Sequence, residues 1–156
     1  MRIRIGLLVC FYALTAYGSD NVSLSLAGYI PAKCSITAVN NNLILSSTGL
    51  ASTDLIIDCN SPMRVSMQSL NGGLRHQQST QVKNYSVTFS IIGSKYRMSV
   101  SANNLKTRKF FNVDNILFKR TGKLQLKILD PLIYAGNYQD VLRIEMTPSV
   151  VSGGVW

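Results

Sequence analysis

The sequence predicts an all-β protein, a sandwich of short antiparallel strands, and three observations carry that prediction. Hydrophobic residues alternate with polar ones in run after run beyond residue 20, the period of a strand with one face on a core and the other in water. Between these runs stand clusters of Asn and Gly, the residues of hairpins and loops. No stretch places apolar residues at i, i+3 and i+4 behind a cap, so helices are not expected.

The elements follow in chain order. "MRIRI" carries two arginines, the apolar run "GLLVCFYALTA" follows, and Ala16 and Gly18 supply small side chains; this is the pattern of a secretory signal peptide, 1–18, cleaved after Gly18. The run is shorter than the roughly 20 apolar residues that span a bilayer. Cys10 is not read as a lipid-bearing cysteine, because Val9 before it is not small. Val22, Leu24 and Leu26 then alternate with serines, and "NNN" at 40–42 and "SSTG" at 46–49 read as turns. "TDLIIDC" at 53–59 and "MRVSM" at 63–67 read as strands around the next turns, with "NGG" at 71–73 behind them. Tyr85, Val87, Phe89 and Ile91 form the clearest alternation, followed by "YRMSV" at 96–100, the turn "ANN" at 102–104 and a basic, aromatic loop "KTRKFF" at 106–111. Leu124, Leu126 and Ile128 form another strand, "AGN" at 135–137 a turn, and Leu142, Ile144 and Met146 the last strand. A chain of 156 residues suits one domain. The expected organisation is the signal peptide 1–18, an amino-terminal strand candidate 19–28 and a sandwich domain 29–156.

Charge and cysteines fit export. Loss of Arg2 and Arg4 leaves fourteen basic against seven acidic residues, a net +7. In the cytosol that balance would suggest nucleic acid; outside it the anions met are lipid head groups, sulfated or sialylated glycans and extracellular DNA, and no specific nucleic-acid partner is expected. The alternative is a solvated basic surface. Cleavage also removes Cys10, leaving Cys34 and Cys59. In an oxidising compartment this pair is expected to form a disulfide, with two free thiols as the alternative. Closing that loop would remove roughly 3 kcal/mol of denatured-state freedom in the chain-entropy model.

The inventory for catalysis is thin. His76 is the one histidine, beside a glycine turn, and is expected to be solvated; without companions it offers no transition-metal cluster. Asp54 and Asp58, four apart in a strand, face one side but stand too far apart for a tight acid–base dyad. There is no G-x-S-x-G elbow and no phosphate-cradling glycine loop. The expectation is a protein without enzymatic activity, cofactor or metal. Lys106, Arg108, Lys109, Phe110 and Phe111 form a candidate ligand loop, since aromatic faces stack on sugars and cations attract carboxylates; its occupant would be an acidic glycan or surface.

"GYIPAKCSI", "LIIDCN" with the second cysteine and "AGNYQDVLRIEM" as a closing strand together resemble the subunits of chaperone–usher pili, above all the spore-coat-U-like subunits of archaic pili. Gly136, Tyr138 and Asp140 match the G-x-Y-x-D that opens the final strand there. The resemblance implies an immunoglobulin-like sandwich lacking its last strand, with a groove beside Leu142, Ile144 and Met146. A periplasmic chaperone fills the groove, an outer-membrane usher exports the subunit to the cell surface, and the amino-terminal strand of the next subunit replaces the chaperone. Here the donor would be residues 19–28, with Val22, Leu24 and Leu26 entering pockets. The alternatives are that this run is the first strand of its own sandwich, that the protein is a tip adhesin, or that it is a self-contained secreted sandwich. Val150, Val151 and Trp156 leave open a further strand that would close the groove.

Overall fold

The computed structural model describes residues 20–46 and 48–149. The expected signal peptide and the tail with Val150, Val151 and Trp156 lie outside the described residues. The chain divides into two units, Met1–Ile30 and Pro31–Trp156.

In the first unit, residues 20–30 carry neither helix nor strand. Val22, Leu24 and Leu26 are 84, 90 and 100 % exposed. The alternation therefore does not make a half-buried strand of this chain, contrary to the sequence expectation, and the first strand begins only at Cys34. A period of two fixes which side chains share a face, but burial requires something for that face to rest on.

The second unit holds eleven strands among the described residues: β1 (Cys34–Ala38), β2 (Leu50–Cys59), β3 (Met63–Ser69), β4 (Leu74–His76), β5 (Val82–Lys83), β6 (Tyr85–Ile91), β7 (Arg97–Ser101), β8 (Lys109–Val113), β9 (Leu117–Ile128), β10 (Tyr138–Gln139) and β11 (Leu142–Pro148). One 3-10 turn, Ala102–Leu105, follows β7 over the expected "ANN" turn. All pairings are antiparallel. A five-stranded sheet runs β1-β2-β9-β6-β7, a second runs β11-β3-β8, and β10-β4-β5 form a small third. The result is an all-β, antiparallel sandwich, as the alternation predicts.

The core lies between the two larger sheets, where Ile57, Val65, Met67, Val87 and Phe89 are fully buried. Each contributes about 1.5–3 kcal/mol of burial. β6 shows why the sequence forms a strand there. Tyr85, Val87, Phe89 and Ile91 are buried and the intervening Ser86, Thr88 and Ser90 are half-buried. Against the Phe89 ring the packing requires glycine on β9: a Cβ on Gly122 would come within 2.8 Å of that ring and 2.9 Å of Ile57.

The expected disulfide joins Cys34 to Cys59, a cross-strand pair in the β1–β2 register. The basic, aromatic stretch at 106–111 is a loop only to Arg108, because Lys109–Val113 is β8. Adjacent Phe110 and Phe111 hide the strand period, since they point to opposite faces. Phe111 packs on the core and Phe110 is exposed.

Candidate functional site

β1 and β11 are edge strands, each with one partner among the described residues. They lie near one another, one from each sheet, without pairing. Their alternation is that of core strands, yet their inward side chains are only half-buried: Cys34, Ile36 and Ala38 on β1, and Leu142, Ile144 and Met146 on β11.

Their backbones have the same one-sidedness. In an antiparallel ladder, residues bonded to the partner alternate with residues whose N–H and C=O point away from it. Asn60 N–H donates to the Lys33 carbonyl and Val39 N–H to that of Asp54. In the register of β1 with β2, the odd-numbered residues thus bond to β2, and Cys34, Ile36 and Ala38 turn outward. On β11, Leu70 N–H donates to the Val141 carbonyl and Ser149 N–H to that of Pro62, so Leu142, Ile144 and Met146 turn outward likewise. Pro148 falls on the same outward parity, where its missing N–H removes no ladder bond.

A groove of about 760 Å³ opens beside these edges. Ala51, Thr53 and Leu55 of β2 and Leu124 of β9, all buried, contribute to its lining. Ile36 and Ala38 line it from β1, and Leu142 and Ile144 from β11; residues 40–45 and 136–141 complete much of the rim. Met146, expected with Leu142 and Ile144, packs on the core without lining the groove.

Asp140 pins one end of β11. Its carboxylate accepts hydrogen bonds from the Tyr85 hydroxyl at 2.7 Å, the Asn71 N–H at 2.9 Å, the Val141 N–H at 2.8 Å and the Ser69 hydroxyl. Ser69 in turn accepts from the Gly72 N–H at 2.8 Å. One carboxylate thus ties the start of β11 to the end of β3, its following turn and β6. Burial, then the hydrogen bond to Asp140 and its charge, push the Tyr85 phenol well above its usual range.

The other motif residues meet at His76, which is buried, against the expectation of a solvated loop histidine. Its Nδ1 accepts from Gln78 N–H and its Nε2–H donates to the Ala135 carbonyl. The Tyr138 ring meets it edge-on at 4.8 Å. Gly136, at φ +137°, lies so close to the imidazole that a Cβ there would collide with Nε2. The covering residues lie about sixty positions downstream, which is why the local surroundings of His76 gave no sign of burial. G-x-Y-x-D is therefore a packing motif: glycine and tyrosine cover a histidine, and aspartate anchors the groove-edge strand.

The candidate ligand loop does not form one free cluster. Arg108 pairs with Glu145 at 3.0 Å, both partly exposed. Arg64 stands 5.8 Å over the Phe110 ring, Phe111 packs on the core, and the stem of Lys106 lies over Gly72. Lys109 is exposed. Asp54 and Asp58 share the outer face of β2. Among the described residues no group of three or more His, Cys, Asp or Glu is placed to hold a metal ion, and no helix is long and apolar enough to cross a membrane.

No family model matches the chain, and no curated protein matches it. One solved structure found by comparison is "Xyl-CBM35 in complex with glucuronic acid containing disaccharide", at 16 % identity over 72 % of this chain and 81 % of that one, with a TM-score of 0.34. A likeness that distant carries no argument about function.

The sequence reading missed Tyr85 and Ser69 as part of this site, together with the rim at 40–45. A signal existed for Tyr85. A tyrosine at a core-facing strand position carries a hydroxyl that needs a buried partner, and the acidic residue opening the last strand is that partner.

Proposed function

We propose that the protein is a subunit of a surface polymer, a pilus of the chaperone–usher kind, whose groove receives the segment 19–28 of another copy. The observation that carries this reading is the pair of unpartnered edges. β1 and β11 turn outward backbone groups and half-buried apolar side chains to open sides, while Val22, Leu24 and Leu26 stand exposed in a stretch with strand alternation that is assigned to no strand among the described residues.

Strand addition joins these features. Backbone hydrogen bonds extend the ladder and alternate side chains enter the groove. Burying Val22, Leu24 and Leu26 contributes about 5–8 kcal/mol before ordering costs, at about 1.5–3 each. An apolar edge left open is also an aggregation hazard, which is the physical reason for a periplasmic chaperone before assembly and an outer-membrane usher at export. Other pilus subunits are then the partners, in a homo- or hetero-polymer on the bacterial surface serving adhesion or biofilm formation. No chemistry is required of any residue. An acidic-glycan site at residues 106–111 gains no support, because Arg108 and Phe110 are engaged by Glu145 and Arg64.

The test is the size distribution of the purified, concentrated protein by sedimentation. The expected result is a ladder of multimers that Leu24→Asn with Leu26→Asn reduces to monomers. A parent chain that stays monomeric at every concentration is a self-contained sandwich, and the proposal fails.

A further inference from the structure

β2 outruns β1. From Leu50 to Thr53 it pairs with β9 on one side, whereas β1 covers only Leu55–Cys59 on the other. The chain leaving β1 heads back along that uncovered stretch and would complete the ladder if it continued as a strand. Three asparagines stop it. In a continued ladder Asn40, of even parity, would turn its N–H away from β2; instead that N–H donates to the Thr53 hydroxyl at 3.1 Å, and the Asn40 side chain takes the Asn42 N–H at 2.9 Å, a local turn that competes with ladder pairing.

The chain is tied again at Ser46, whose N–H donates to the Leu50 carbonyl at 2.8 Å. Between these ties the pattern is that of a strand without a ladder. All three side chains border the groove, but Leu43 and Leu45 are half-buried whereas Ile44 between them is 88 % exposed. Among the described residues no hydrogen bond fixes the backbone of 43–45.

We propose that residues 40–46 are a strap. Leu43 and Leu45 lie on the groove in place of a strand, and an incoming strand displaces them. This rests on the reading of the groove as a strand acceptor and adds its regulation. The strap shields apolar lining that would otherwise recruit other edges. It also makes strand uptake an exchange. Tethered at both ends, the two leucines compete at high effective concentration, but they bring no backbone ladder, whereas an entering strand brings ladder bonds together with its side chains.

The test uses the full chain with Leu24→Asn and Leu26→Asn, which silences its own segment, and a synthetic peptide of residues 19–28 as probe. Adding Leu43→Ser with Leu45→Ser is expected to tighten peptide binding about tenfold, as removing a competing closed state does. Ile116→Ser, at an exposed residue outside the groove lining, should change nothing. A second readout does not depend on the serine substitutions: a single Leu43→Cys thiol should react faster with maleimide when the peptide is saturating. Weaker peptide binding by the serine variant, with slower labelling of the thiol, would make the two leucines part of the strand's own seat and overturn the strap while leaving the acceptor reading intact. Failure of the peptide to bind either form overturns both.

Discussion

β6 and β11 are each seven residues long, and each alternates apolar with polar side chains. In β6 every inward residue is buried; in β11 every inward residue is only half-buried. The difference is one of neighbours. β6 lies between β7 and β9, while β11 has β3 alone among the described residues. The lesson is that alternation encodes a readiness to be buried, and neighbours on both sides realise it. The open flank of this sandwich thus carries the sequence of a core strand in the position of an edge.

That comparison can be broken by substitution. Phe89→Ala, in the filled half, should cost about 3–5 kcal/mol in denaturant unfolding, the usual loss for a fully buried aromatic. Ile144→Ala, in the open half, should cost only about 1–2 kcal/mol in the isolated chain, because a half-buried side chain leaves a smaller cavity. With the 19–28 peptide bound, the Ile144 penalty should grow toward that of a buried residue. Equal penalties in the isolated chain would mean that β11 is already covered.

Asp140→Ala should cost about 3 kcal/mol, since it strands the Tyr85 and Ser69 hydroxyls and the Asn71 N–H. Asp140→Asn sharpens the point through pH. The phenol of Tyr85 is raised in the folded protein, so the folded state holds that proton more tightly than the unfolded chain, where it leaves near pH 10. This contribution is complete below about pH 10 and is lost as pH rises beyond it toward the folded value. Ultraviolet titration should therefore show a late tyrosine that moves earlier in Asp140→Asn. Tyr96, raised by burial and by the charge of Asp114, should not move. The smallest effect belongs to Arg108→Ala, whose ion pair with Glu145 is 42 % and 53 % exposed; it should change stability by less than about 1 kcal/mol and only at low salt.

Much of the sandwich was legible because strand period and turn residues are local signals. β2, β3, β6, β7 and β11 fall on runs or short stretches that announce themselves, and β9 (Leu117–Ile128) does so only from Leu124 onward. β8 was obscured by two adjacent phenylalanines that serve different faces, and β10 and β5 are two-residue pairings with no period to read. The burial of His76 depends on Gly136 and Tyr138, far along the chain, and could not be read locally. The reverse case is Val22–Leu26, where a clear local period forms no strand among the described residues. The core-facing residues of the groove-edge strand were legible, but the rim at 40–45 was not, since three asparagines followed by Leu-Ile-Leu read simply as a turn.

The most direct test of the central claim is thermal unfolding of the full Leu24→Asn, Leu26→Asn chain with and without the 19–28 peptide. The account predicts a saturable rise in Tm that grows with peptide concentration, and loss of that rise when the peptide itself carries asparagine at positions 24 and 26. A Tm that the unmodified peptide leaves unchanged at every concentration would contradict it: the groove would then accept no such strand.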